Sequence, residues 1–183
     1  MCTINTEDVG GESCEPVGGI NIDIYYALRS DFTTVVDPPQ FGAVGAYATK
    51  AAIATAHTFK QGKGFNKITV ASKTGTIKST MGGERKRRVY TNELAGQIQG
   101  SEAVVLGFMR MVKNADYIVL AEEAGSGRLR QLGSNRSFAE FTALEHSIEA
   151  DMTGNNACSF TIQDTQLWPA PIYSGTVVEE PET

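Results

Sequence analysis

Five consecutive apolar residues, Tyr117, Ile118, Val119, Leu120 and Ala121, lead through two glutamates into the glycine-rich stretch "AGSGRLRQLGS". Side chains of a strand alternate between faces, so an unbroken apolar run predicts a strand covered on both sides. A chain holding such a strand needs layers. Residues 117–122 and 128–132 read as two strands joined by a turn at Ala124, Gly125, Ser126 and Gly127, with the helix just before them as one cover.

That helix is "SEAVVLGFMRMVKN". Ser101 is a suitable N-cap, Glu102 sits where the helix dipole favours an anion, and Arg110 and Lys113 sit where it favours cations. Val104, Phe108, Met111 and Val112 recur at i, i+4, i+7 and i+8, with Val105 and Met109 widening the stripe, so these residues are expected to pack on the core.

The other periods are those of strands. Ile20, Ile22, Ile24 and Tyr26 alternate with polar neighbours, as do Cys158, Phe160 and Ile162 against Ser159, Thr161 and Gln163. Ile68 and Val70 share one face, and the chain then turns near Gly75 and continues through Ile77. In "RKRRVYTNELAGQIQ", Arg85, Arg87, Val89, Thr91 and Glu93 share one face while Arg88, Tyr90, Asn92 and Leu94 share the other. A long, mostly polar hairpin with its tip within residues 80–88 accounts for this pattern. Pro38 and Pro39 mark a loop or sheet edge. Residues 47–59 mix helix-favouring alanines with Ile53, Thr55 and Thr58 and are read as strand; residues 138–151 suit either state. Pro169, Pro171 and the acidic end predict an extended, partly mobile terminus. The sum is one mainly β domain, a sandwich or barrel with one flanking helix and a long β-hairpin loop. Its expected parts are an N-terminal arm (1–17), the β domain (18–173) and an acidic tail (174–183).

Charge is segregated along the chain. Five carboxylates and no Lys or Arg precede Arg29, and eight carboxylates and no Lys or Arg follow Arg136. All sixteen cations fall between, with only eight carboxylates, so the middle carries +8 within a chain of net charge -5. Opposite potentials of this kind either orient one copy against another or draw the ends back over the middle of the same subunit.

No run reaches the ~18 apolar residues of a membrane-spanning helix, and the acidic start has neither part of a signal peptide, so synthesis in the cytoplasm and no membrane association are expected. Cys2, Cys14 and Cys158 lack zinc-knuckle spacing and are expected as free thiols, a Cys2 to Cys14 bridge or metal contact being the alternative. Catalytic parts are few. His57 lies in an alanine-rich segment without an adjacent acid, and His146, after Glu145, is placed in a loop; both read as packed or solvated. The glycine-rich stretch lacks the GxxxxGK pattern of a phosphate loop. Glu122 with Glu123, and Glu179 with Glu180, would point to opposite faces of a strand and read as surface charges. No cofactor, metal site or catalytic residue is expected.

Arg85, Lys86, Arg87 and Arg88 remain to be explained. As phosphate contacts they would give a salt-sensitive attachment to nucleic acid. Only Tyr90 lies near as a stacking platform and no recognition helix follows, which favours docking onto carboxylates of a neighbouring subunit; a plain solvated tip is the third reading.

A "GGI"-initiated strand (Gly18 to Ile20) after a lead containing Cys2 and Cys14, a long polar hairpin, a helix, "DYIVLAEEAGSGRLRQLGS" and "CSFTIQDTQLWPAPIYSG" together resemble the major tail-tube proteins of tailed phages, especially those infecting Bacteroidetes. The likeness spans nearly the whole chain and is one of pattern. It implies hexameric rings stacked head to tail into a hollow tube that conducts DNA without binding it specifically. Each subunit would add strands to a continuous inner barrel. It also implies a hairpin, here "MGGERKRR", reaching the adjacent ring, and tape-measure, terminator and baseplate proteins as further partners. A small β-barrel nucleic-acid-binding protein and a single-ring tail-terminator or baseplate component are the alternative readings.

Overall fold

The apolar run that opens the glycine-rich hairpin is a strand with a core on each face. The computed structural model describes residues 19–43, 45–150, 154 and 156–181. The arm at 1–17, with Cys2 and Cys14, lies outside the described residues. In chain order the strands are β1 (Ile20–Leu28), β2 (Phe32–Thr34), β3 (Ala52–Ile53), β4 (Thr58–Phe59), β5 (Asn66–Thr69), β6 (Thr76–Gly82) and β7 (Val89–Gln99). They continue with β8 (Tyr117–Glu123), β9 (Leu129–Leu132), β10 (Glu140–Ile148), β11 (Asn156–Gln166) and β12 (Ile172–Tyr173). Among the described residues two α-helices interrupt them, the single turn α1 (Tyr47–Lys50) and α2 (Ala103–Val112), besides a 3-10 turn at Arg29–Asp31.

A six-stranded sheet in the order β3-β12-β9-β8-β1-β5 faces a four-stranded sheet in the order β10-β11-β7-β6, with β2 and β4 pairing separately. Neither sheet closes on itself, so the fold is a sandwich and not a barrel. Between the sheets, Tyr117, Val119 and Ala121 of β8 meet Leu94 of β7 and Phe160 and Ile162 of β11. On the far face of β8, Ile118 and Leu120 meet Phe32, Ile53, Phe65 and Tyr173. Double coverage is why this strand cannot carry polar residues at alternate positions.

Several expectations change. Residues 47–59 do not form one strand: Thr49 Oγ1 donates to the Ala46 carbonyl at 2.7 Å within the turn of α1, and the short β3 and β4 then join different sheets. Residues 66–82 cross from one sheet to the other, because β5 pairs with β1 while β6 pairs with β7. His146 lies within β10, not a loop, and its Nε2 is buried without a hydrogen-bond partner.

Helix α2 is capped by Glu102, while Ser101 instead accepts a hydrogen bond from Asn156 Nδ2 at 3.1 Å. Its buried residues are Val105 and Val112, with Phe108 packed against the core; Val104 and Met111 are 79% and 77% exposed. The stripe read from spacing is therefore rotated. Helix α2 is apolar on more than one flank, and periodicity alone could not say which flank the sheets claim.

The acidic end does not stand apart. Residues 174–181 run beside β5: Phe65 bridges Glu179, Lys67 Nζ lies 3.2 Å from Glu179 and Lys63 Nζ lies 3.0 Å from Glu180. Gly64 permits this approach, since a Cβ there would fall 2.4 Å from the Glu179 backbone.

Candidate assembly surfaces

Among the described residues, nothing pairs with the outer edges of β6 and β10 in the four-stranded sheet or covers its outer face. Its inner positions, Asn92, Leu94, Phe160, Ile162 and Asp164, are buried, so alternation turns Thr91, Glu93, Gln97, Ser159, Thr161, Gln163 and Thr165 outward. Register adds Lys78 of β6 and Glu140 and Glu145 of β10 to that outer face, since Lys78 pairs with Glu93, Glu140 with Gln163 and Glu145 with Ser159. The result is a polar surface with three carboxylates to one cation. Cross-strand bonds link its side chains: Gln163 Nε2 donates to Glu93 at 2.7 Å and Gln97 Nε2 donates to Ser159 Oγ at 3.1 Å.

From one edge rises the hairpin of β6 and β7. Its turn is closed by a hydrogen bond from Arg87 N to the Glu84 carbonyl at 2.9 Å, with Gly83 at φ +91° and Lys86 at φ +72°. A side chain at Gly83 would place its Cβ 2.7 Å from the Arg87 carbonyl oxygen, so this position requires glycine. Arg85, Lys86, Arg87 and Arg88 are all exposed, and among the described residues no ion pair holds any of them.

The root of the hairpin is polar and buried. Asn92, fully buried, accepts from Ser79 Oγ at 2.6 Å and from Ala170 N at 2.9 Å, and donates to Asp164 Oδ1 at 2.8 Å. The other oxygen of Asp164 accepts from Gly133 N and from Gln166 Nε2. Burial pushes the Asp164 carboxyl above its ordinary range, opposed by the donors from Gly133, Asn92 and Gln166. The node joins β6, β7, β11, the end of β9 and the segment before β12, and so fixes the direction in which the arm leaves the body.

A second polar cluster lies under the six-stranded sheet. His57 Nδ1 accepts from Val36 N at 3.1 Å, which leaves Nε2 to donate to Gln131 Oε1 at 2.9 Å. The ring stacks on Tyr173 at 4.7 Å, and the Tyr173 hydroxyl accepts from His57 N at 3.1 Å. Burial lowers the His57 pKa to about 4. Both ring nitrogens bind the fold, so this histidine is a neutral bridge between segments. Cys158 is a free, buried thiol whose pKa burial raises.

The hairpin and its exposed cations stand where the sequence places them. The helix set divides, Phe108 and Val112 inward and Val104 and Met111 outward. Sequence reasoning missed the Asn92–Asp164 node and the identity of the outward carboxylates; polar residues at every second position of β7 and β11 were the signal for the latter. Among the described residues no cluster of three or more His, Cys, Asp or Glu could hold a metal ion, and no helix is long and apolar enough to cross a membrane. Comparisons with protein-family models, with curated proteins and with solved structures found no match.

Proposed function

We propose that this chain is a structural subunit that continues its four-stranded sheet from copy to copy, forming rings that stack into a DNA-conducting phage tail tube. The observation that carries the reading is an antiparallel sheet with two open edges and a polar, mainly acidic outer face. Neighbouring strands β10, β11, β7 and β6 alternate in direction, so the two edges run oppositely. Rotation about a ring axis therefore sets β6 of one copy antiparallel to β10 of the next, and closure removes every edge of this sheet.

The edges are also staggered. Gly82 and Thr76 bound β6 opposite Val89 and Ala95, whereas Glu140 and Ser147 of β10 lie, through Gln163 and Ala157, opposite Glu93 and Gln99. Full pairing of β6 with the next β10 thus steps each copy by roughly four residues for every four strands. That is the ratio of shear to strand number that tilts barrel strands by about 36°. Turned inward, the outer face would line the lumen, where Glu93, Glu140 and Glu145 repel phosphates and let DNA slide.

The resemblance supplies the finer expectations: six copies per ring, the hairpin cations meeting carboxylates of an adjacent ring, and residence in the virion tail after synthesis in the host cytoplasm. Tape-measure, terminator and baseplate proteins complete the expected partners. The exposed tip supports one rival, attachment to nucleic acid through the four cations.

Electron microscopy of the purified protein at high concentration, beside sizing at low concentration, tests the proposal. Stacked rings or tubes are expected. A monomer at every concentration, with salt-sensitive DNA binding lost in the serine quadruple variant of Arg85–Arg88, would replace this reading with the rival.

A further inference from the structure

Each open edge of the four-stranded sheet has a neighbouring surface that the described residues leave unfilled. On the β10 side stands α2, anchored by Phe108, whose ring meets those of Phe141 of β10 at 5.6 Å and Tyr26 of β1 at 5.8 Å. One exposed outer flank presents Val104, 79% exposed, and Met111, 77% exposed, seven residues apart on the same stripe, while Leu106 and Arg110 lie on a different side of the helix. On the β6 side lies an open cleft of about 640 Å³ lined by Ile20, Gly75, Ile77, Pro169 and Ala170, with the Glu123–Arg130 ion pair on its wall. Strand β8 connects the two sides, since Tyr117 at its start packs on Phe141 and Glu123 at its end lines the cleft. A ridge and a hollow therefore occupy opposite ends of one strand.

We infer that the outer flank of α2 seats in the cleft of a second copy of this chain, as the second layer of contact behind the β6–β10 pairing. The inference rests on the sheet-continuation reading: whatever brings β6 of one copy to β10 of the next also brings its cleft towards the next copy's α2. Charge supports the same partner. Lys78 of β6 is exposed, as are Glu140 and Glu145 of β10, so the two edges carry opposite charge. The two surfaces differ, so the contact is heterologous and propagates instead of ending at a dimer. It also gives two exposed apolar side chains on one flank of a short helix a cover of matching chemistry.

The double variant Val104→Glu/Met111→Glu tests this. Both positions are exposed in the subunit, so the monomer should keep its circular dichroism and melting temperature while the concentration needed for assembly rises at least tenfold. Unchanged assembly of that variant beside an assembling wild type overturns the helix contact and leaves the edge pairing standing; a wild type that never assembles removes both. A cysteine pair fixes the partner surface. With Cys2 and Cys14 changed to serine, oxidised Thr76→Cys/Met111→Cys should give a ladder of covalent species beyond the dimer. Dimers from Met111→Cys alone would mean helix against helix, and would refute the ridge-in-hollow arrangement.

Discussion

Replacing Asn92 by alanine should loosen the arm at its root and cost the monomer about 2 to 4 kcal/mol. Asn92 is fully buried and satisfies three groups of other elements: Ser79 Oγ, Ala170 N and Asp164 Oδ1. Alanine removes the shorter of two acceptors of the Ala170 amide, a loss of about 0.5 to 1.5 kcal/mol, and removes a donor from a buried carboxylate, about 1.5 to 3 kcal/mol more. The Ser79 hydroxyl retains a bond to Ala170 N at 3.2 Å and adds little. Urea unfolding at a concentration low enough to keep the protein monomeric reads the loss as a fall in midpoint at constant slope. The pH dependence carries a second signature. Asp164 already has a raised folded pKa, so its contribution to stability is greatest below the unfolded value and is lost as pH rises through the folded one. Without Asn92 the carboxyl rises further, so the penalty should be smaller at pH 4 than at pH 7. A loss below about 1 kcal/mol, the same at both pH values, would refute the node as the anchor of the hairpin.

Histidine 57 predicts acid sensitivity of its own. Its pKa falls from 6.5 to about 4 on folding, so its stabilisation is complete above pH 6.5 and is lost as pH falls towards 4, up to about 3 kcal/mol, a slope that His57→Asn should flatten in urea titrations. Phe108→Ala should cost about 2 kcal/mol, below the roughly 3 to 5 of a fully buried ring, because the ring is only partly buried; an unchanged melting temperature would remove the ring from the Tyr26–Phe141 cluster. Serine at Arg85, Lys86, Arg87 and Arg88 together should leave the monomer's stability within about 0.5 kcal/mol of wild type, as expected of exposed groups. On the proposed function it should shorten tubes and make them more salt-labile; tubes of unchanged length and salt tolerance would count against the inter-ring role.

What was legible in the sequence was whatever depends on neighbours along one chain segment. Alternation in β1 and β11, the turn at residues 124–127 and the unbroken run in β8 each follow from local geometry, and each lies where it was expected. What was not legible depends on which segment covers which. The exposed flank of α2 and the crossing of residues 66–82 between sheets are decided by tertiary packing, where two faces of similar apolarity compete. The node at Asn92 is hidden for the same reason, since its partners lie 13, 72 and 78 residues away in sequence.

The segregated charges find two different destinations, and the difference bears on assembly. At β5 the acidic end returns to the basic middle: Lys63 holds Glu180 with help from Asn66, and Lys67 holds Glu179, lowering the Glu180 pKa and raising those of both lysines. Exposed pairs of this kind add little stability, yet they remove two carboxylates from the pool that could neutralise the hairpin. Among the described residues the four cations at its tip have no ion-pair partner, while the arm is held at its base by a buried polar network. A cluster of exposed cations, at the end of a sheet whose outer face carries Glu93, Glu140 and Glu145, creates a potential that changes sign along one subunit. Two copies stacked head to tail along that direction bring opposite signs together, whereas copies stacked head to head oppose like charges over distances comparable to the ~8 Å screening length. On the proposed function, polarity of the tube follows from this distribution before any side chain of the next ring makes contact.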